Sequence, residues 1–306
     1  MEHQVISVSV IIPAFNRANI IEKSISSVLN QTWQNFELII VDDCSADIEQ
    51  LKEVLKRYND QRIILLEHQS NQNGAAARNT GIAKASGEFI AFLDSDDIWH
   101  PTKLAEQIQH IEQMCEKSIL YCRLRSYNSS TPHQYNLIPN HGYNNKDSLG
   151  EYLFCQNGVM QTSSLFMYTA FAKQLKFNPA LRRHQDYDFL LRAENQGANF
   201  VYIDQLLVDY IWLDSDSLSK KMITVERSLH WLDEYQQFLT TNARFGFICK
   251  EVCANAIRHR KLKLLLSYVS NHFSFRYISK IFISILKIFT QLAIAKLKRS
   301  YAKKVR

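Results

Sequence analysis

In Gly87-Glu88-Phe89-Ile90-Ala91-Phe92-Leu93-Asp94-Ser95-Asp96-Asp97-Ile98-Trp99 an unbroken apolar run stops at a tetrapeptide that holds three carboxylates. Phe89 to Leu93 predicts a buried strand, because a strand covered on both faces is apolar throughout and does not alternate. Three carboxylates within four residues repel one another, and gathering them is normally offset by a cation or by solvent. Hard oxygen donors suit Mg²⁺ or Mn²⁺, ions that keep several waters and bridge a few carboxylates to the phosphates of a substrate. The competing use of the tetrapeptide is as a cap for the helix expected near Pro101.

Upstream, Val5 to Ile12 is a β-branched apolar run closed by Pro13, and Ile20, Ile21, Ile25, Val28 and Leu29 then recur at helical spacing. Phe36 to Val41 predicts a second strand ending at Asp42 and Asp43, with Ser45 as the expected N-cap of a helix that carries Ile48, Leu51, Val54 and Leu55. Ile63 to Leu66 supplies a third strand and Ala75 to Ala85 a third helix before the Phe89 strand. Strands alternating with helices predict an α/β fold, a Rossmann-like mostly parallel sheet with helices on both faces, whose ligands sit at the carboxyl ends of the strands. From about residue 119 to 208 the pattern is mixed α+β, and from 219 it turns helical. The expected organisation is one domain over 1–218, with a nucleotide half to about 118 and an acceptor half from about 119. A helical C-terminal extension over 219–306 follows.

The exits carry Val8-Ser9-Val10-Ile11-Ile12-Pro13-Ala14-Phe15-Asn16, Val41-Asp42-Asp43-Cys44-Ser45, Ala77-Arg78-Asn79-x-Gly81 and Phe92-Leu93-Asp94-Ser95-Asp96-Asp97-x-Trp99. Together, and in this order, they resemble family 2 glycosyltransferases of GT-A fold, strongly over about the first 105 residues and moderately to about 215. Any one of these motifs alone is weak. The resemblance implies transfer of a sugar from a nucleotide-diphosphate sugar, with UDP favoured, to a saccharide or glycolipid hydroxyl in surface polysaccharide, lipopolysaccharide or capsule assembly. It implies that Pro13, Ala14, Phe15 and Asn16 shape the nucleotide pocket, and that Asp43, in preference to Asp42, accepts a hydrogen bond from the base. Arg78 would face the diphosphate, and Asp94, Ser95 and Asp96 would meet ribose and metal, with Asp96 or Asp97 ligating Mn²⁺ or Mg²⁺.

His184-Gln185-Asp186-Tyr187-Asp188 opens a helix and resembles the family's acidic pair, with Gln185 in place of the more usual glutamate. Asp186 then matches the catalytic base of an inverting transfer. The Gln-x-x-Arg-Trp motif of processive synthases is missing, so addition of a single sugar is expected. Gln161 to Ser164 is either an acceptor contact or an ordinary strand start. Two other readings share these features: a nucleotidyltransferase, and a nucleotide-sugar-binding scaffold whose catalysis has decayed at Gln185.

Charge divides the chain of 306 residues sharply: all 30 Asp and Glu lie before Val252, and 13 Lys and Arg follow it. An amphipathic basic helix is expected over about 275–300. Ile278, Ile281, Phe282, Ile285, Ile288, Phe289 and Leu292 lie on one side, and Lys280, Ser284, Lys287, Gln291 and Lys298 on the other. It would lie on an anionic membrane surface, or else pack as a core or oligomerising helix. No nucleic-acid-reading module is recognisable. The six scattered cysteines and the lack of an n-region followed by an h-region favour a cytoplasmic protein, peripheral on the inner face of the membrane.

Overall fold

Val8, Val10 and Ile12 point to one side of their strand and Ile11 to the other, and all four are buried, so that strand must be covered on both faces. The computed structural model, which describes residues 7–213 and 224–286 together with 288 and 290, shows how. Strand β1 (Val8–Ala14) lies between β2 (Phe36–Asp42) and β4 (Phe89–Phe92), and β3 (Ile63–Glu67) pairs with β2; all these pairs are parallel. Val8, Val10 and Ile12 pack with Ile25 and Val28 of helix α1 (Glu22–Leu29), with Ile21 just before it, and with Leu51 and Val54 of α2 (Ile48–Tyr58). On the other face Ile11 meets α3 (Gly74–Lys84), where a Cβ at Gly81 would stand 2.5 Å from the Ile11 Cγ2. Gly81 is therefore required by close approach of helix and sheet.

Pro13 does not end β1 as expected. It pairs with Val41, while β4 stops opposite Ile11, so beyond Ile11 the strand is an edge on one side and the missing N–H costs nothing there. Ser45 is not the N-cap of α2 either; that position is Asp47. Ser45 Oγ instead accepts the Asn16 N–H at 2.8 Å, tying the first exit to the second.

Beyond β4 the sheet changes character. The order is β3-β2-β1-β4-β8-β6-β9-β5, with β7 (Tyr135–Ile138) on β6 (Ser118–Asn128). Strand β8 (Phe166–Tyr168) is antiparallel to both β4 and β6, and the short β5 (Ile98–Trp99) is antiparallel to β9 (Asn199–Trp212). Parallel pairing thus belongs to the first four strands and to β6 with β9. Helix α4 (Lys103–Gln109) follows β5, and α6 (Thr169–Leu175) and α7 (Gln185–Asn195) follow β8.

The chain divides into two compact units, residues 1–149 with 157–218, and residues 150–156 with 219–306. Helix α5 (Leu149–Cys155) therefore contributes all but its first residue to the second unit. That unit holds α8 (Val225–Glu234), α9 (Thr241–Phe247), a π-helical stretch Ile248–Val252, α10 (Cys253–Arg258) and α11 (Leu262–His272), with a further helix through 275–286. Its core stacks Trp231 on Tyr235 and Phe247, at 4.5 and 4.8 Å between ring centroids. No helix of the described residues is long and apolar enough to cross a membrane.

The C-terminal helix differs from the face expected of it. Ile281 and Ile285 are buried in the second unit, whereas Phe275, Phe282, Ile283 and Leu286 are 82, 55, 56 and 65% exposed. Of the expected seam, Ile281 and Ile285 face the core, Ile278 is half-buried and Phe282 points outward, where it joins Phe275, Ile283 and Leu286 in an exposed apolar stripe. Of the expected helix 275–300, residues 287, 289 and 291–300 lie outside the described residues.

Candidate active site

Register sets the site. Ala14 lies opposite Asp42, and Ile11 opposite Phe92, so the parallel strands β2, β1 and β4 release their chains along one rim of the sheet. The first two exits turn through left-handed residues, Asn16 at φ 53° and Cys44 at φ 63°, and are laced together. Asn16 Oδ1 accepts the Ala46 N–H at 2.9 Å, and Asp47 Oδ2 accepts the Ala18 N–H at 3.0 Å. Pro13 and Phe15 are half-buried beside buried Ala14, with Asn16 exposed.

The two aspartates of the second exit have different environments. Asp43 is buried and fully engaged: its Oδ1 lies 2.8 Å from His68 Nδ1 and accepts the Gln72 N–H at 2.8 Å, and its Oδ2 accepts the Asn73 N–H at 2.7 Å. Asp42 accepts only the Ser45 N–H, at 2.9 Å on Oδ2, and its buried Oδ1 has no protein partner. An unpaired buried carboxylate oxygen is costly and marks a place for a donor from outside the chain. Asp43, the expected base acceptor, thus has both oxygens engaged within the protein, whereas Asp42 keeps one oxygen without a protein partner.

Arg78, on the second turn of α3, is buried and pairs with Asp94 at 2.6 Å. Burial disfavours its charge, but the neighbouring Asp94, Asp186 and Asp96 hold its pKa above the ordinary arginine value. Asp96 stands 3.8 Å from Arg17, and both are about a quarter exposed. Burial first, and then the charge of Asp94, push the Asp96 carboxyl up to about 6. A divalent cation would relieve that repulsion.

Asp97 does something else. It is fully buried; its Oδ2 accepts hydrogen bonds from Ser163 Oγ at 2.6 Å and Gln161 Nε2 at 3.0 Å, and its Oδ1 accepts the Ile211 N–H at 3.0 Å. Both of its oxygens accept hydrogen bonds from the protein, and it frames the loop. Gln161 Nε2 also donates to Asp94 Oδ2 at 3.1 Å, and Ser163 Oγ accepts the Asp94 N–H at 2.9 Å. Gln161 to Ser164 is accordingly neither a strand start nor shown as an acceptor contact; Gln161 and Ser163 seat the acidic tetrapeptide, and buried Ser95 lies within it.

Asp186 is the second residue of α7, next to Gln185. Burial raises its pKa, partly opposed by Arg78 and reinforced by Asp94, so the carboxylate shares an electrostatic neighbourhood with the Arg78–Asp94 pair. Tyr210 of β9 lies in the same field: its pKa is raised by burial and then by Asp97, Asp186, Asp94 and Asp96. Tyr210 and the junction role of Asn73 carried no signal in the sequence, because each acts from a distant element outside any charged run; Gln161 and Ser163 stand out in the sequence, but not as partners of the acidic tetrapeptide. Among the described residues no group of three or more His, Cys, Asp or Glu forms a metal cage. Asp94 and Asp96 still fit an ion of the Mg²⁺ type, which takes one or two carboxylates and fills its remaining positions with water and phosphate oxygens.

Residues 9–174 match the family model described as Glycosyl transferase family 2. The chain is 36% identical over 241 residues to "Amylovoran biosynthesis glycosyltransferase AmsB" of Erwinia amylovora, covering 77% of this chain and 79% of the relative. It is 50% identical over 101 residues to "UDP-Glc:alpha-D-GlcNAc-diphosphoundecaprenol beta-1,3-glucosyltransferase WfgD" of Escherichia coli, covering 33% of this chain and 39% of the relative. The fold is shared with the mannosyltransferase PcManGT from Pyrobaculum calidifontis solved in complex with GDP-Man and Mn²⁺. Its TM-score is 0.59 at 14% identity, over 97% of this chain and 83% of that one. The family match spans β1 to α6, the strands and loops that build the rim, and the chain belongs to glycosyl transferase family 2.

Proposed function

We propose that this glycosyltransferase moves one sugar from a UDP-sugar to a hydroxyl of a saccharide or lipid-linked acceptor, with inversion and with a divalent cation, in assembly of a bacterial surface polysaccharide. The observation that carries the proposal is the Arg78–Asp94 pair at 2.6 Å with Asp96 beside it and Asp186 in the same electrostatic field. The unpaired Asp42 Oδ1 is the proposed acceptor for a base N–H, with Pro13 to Asn16 forming the adjoining wall. Arg78 binds the diphosphate. Asp96, with Asp94, would hold Mn²⁺ or Mg²⁺ in preference to Asp97, because both side chains are about a quarter exposed and Asp97 is fully buried. When bound, the ion supplies charge stabilisation to the departing diphosphate.

Asp186 takes the proton of the acceptor hydroxyl on its carboxylate as that oxygen attacks the anomeric carbon. Its neighbourhood suits a base: burial raises its proton affinity, and the Arg78 charge opposes part of that rise. The printed names of AmsB and WfgD support a polysaccharide or lipid-diphosphate acceptor, and PcManGT supports manganese. The outward stripe of Phe275, Phe282, Ile283 and Leu286, in a segment without acidic residues, supports attachment to the anionic inner face of the cell membrane.

The test is nucleoside-diphosphate release from a panel of UDP- and GDP-sugars with Mn²⁺ or Mg²⁺. Release that requires a UDP-sugar and stops with EDTA is expected, and Asp186→Asn should bind UDP normally while transfer falls at least about a hundredfold. Turnover insensitive to chelation would remove the metal, and near-normal turnover of Asp186→Asn would remove the base.

A further inference from the structure

Gln185 joins three parts of the rim. Its Oε1 accepts Arg78 Nη1 at 3.1 Å, while its Nε2 donates to Leu181 O at 2.7 Å and to Asn73 Oδ1 at 3.3 Å. Asn73 is itself a junction: its Oδ1 accepts the Ala75 N–H, capping α3, its N–H donates to Asp43, and its Nδ2 donates to Pro179 O. Arg78 is thus held from two sides, by the neutral amide of Gln185 on Nη1 and by Asp94 on Nη2, with the Phe177 ring 5.2 Å from its centre. A Cβ at Gly74 would stand 3.3 Å from Arg78 Nη1 and 3.7 Å from Gln185 Oε1, so the first residue of α3 lies close against the pair.

The charge around Arg78 is already heavy. Asp94, Asp96 and Asp186 all act on the one guanidinium, and the ligand it has to receive, in the reading above, is itself an anion. A carboxylate at position 185 would replace a neutral hydrogen bond with a second ion pair on Arg78 and would add repulsion at the diphosphate. We infer that Gln185 is a positioning residue that aims Arg78 at the donor diphosphate while adding no charge of its own. Its neutrality thereby sets donor affinity. This inference rests on the glycosyltransferase reading and concerns which property of one side chain that reading uses.

The experiment compares wild type with Gln185→Glu, which is nearly isosteric, by initial rates against UDP-sugar and by UDP inhibition. The donor KM and the UDP inhibition constant should both rise roughly tenfold or more, while kcat changes less than about threefold. Gln185→Asn, neutral but shorter, should lower kcat more than it raises the donor KM, because it breaks the link beside Asp186 without adding charge. An unchanged donor KM and UDP inhibition in folded Gln185→Glu overturns the inference. Should that variant melt at assay temperature, UDP binding by calorimetry below its melting temperature replaces the rate assay, with the same expected loss and the same overturning result. A wild type that turns over no nucleotide sugar sinks the enzymatic reading itself, whereas active wild type with unaffected variants sinks only the role of Gln185.

Discussion

Aspartates that look alike in the chain have separate tasks here, and those tasks separate by experiment. Asp42→Asn keeps an oxygen for the Ser45 N–H but loses the charged acceptor on Oδ1. UDP affinity measured by calorimetry should fall about 10- to 100-fold with little change in melting temperature, as expected when a hydrogen bond to a charged group is lost. Asp43→Asn should do the reverse, lowering the melting temperature because it disturbs His68, Gln72 and Asn73 together. Lys103 offers a pH test. It is fully buried, 2.7 Å from Gln107 Oε1 and over the Trp99 ring, and burial lowers its pKa to about 7. Between about 7 and the unfolded value near 10 the unfolded chain holds the extra proton, so this residue makes stability rise with pH across that window. In Lys103→Met the melting temperature should lose that rise; an identical pH profile would show that Lys103 is charged and solvated. The tetrapeptide's acidity was legible in the sequence, but its division of labour was not, since the partners that claim Asp97 lie 64, 66 and 114 residues away.

Helix α7 shows at the next scale how an element is fixed before it presents Asp186. Asp188 is fully buried and pairs with Arg192 one turn on, through bonds of 2.7 and 2.6 Å, and Arg192 also donates to the Leu175 and Lys176 carbonyls that end α6. Arg192→Ala leaves a buried carboxylate uncompensated, so unfolding in urea should show a loss of about 3–5 kcal/mol. A loss under about 1 kcal/mol would mean that water reaches Asp188. The early elements were legible because each apolar run has one period and ends at a turn residue: the strand expected at Phe89 to Leu93 forms over Phe89–Phe92, and the helix at Ala75 to Ala85 forms over Gly74–Lys84. What escaped was the mode of pairing after β4, because β8 is only three residues long and its direction is set by its neighbours.

Across the whole molecule, charge and exposed apolar area are unevenly distributed, and the sequence disclosed the first better than the second. The run of basic residues after Val252 is plain, whereas the side on which the C-terminal helix meets its own core depends on Ile281 and Ile285 packing inward. Sedimentation with phosphatidylglycerol vesicles should fall about tenfold in Phe282→Ser/Ile283→Ser and weaken with added salt, while neutral phosphatidylcholine vesicles bind poorly throughout. Equal binding of the double variant would assign that stripe to a protein contact. Finally, the seam where β4 meets β8 is narrow, spanning only Phe89, Ile90 and Ala91 against Tyr168, Met167 and Phe166. Any change on the far side of that seam must keep an amide and a hydroxyl where Gln161 and Ser163 stand, or the acidic loop loses its footing.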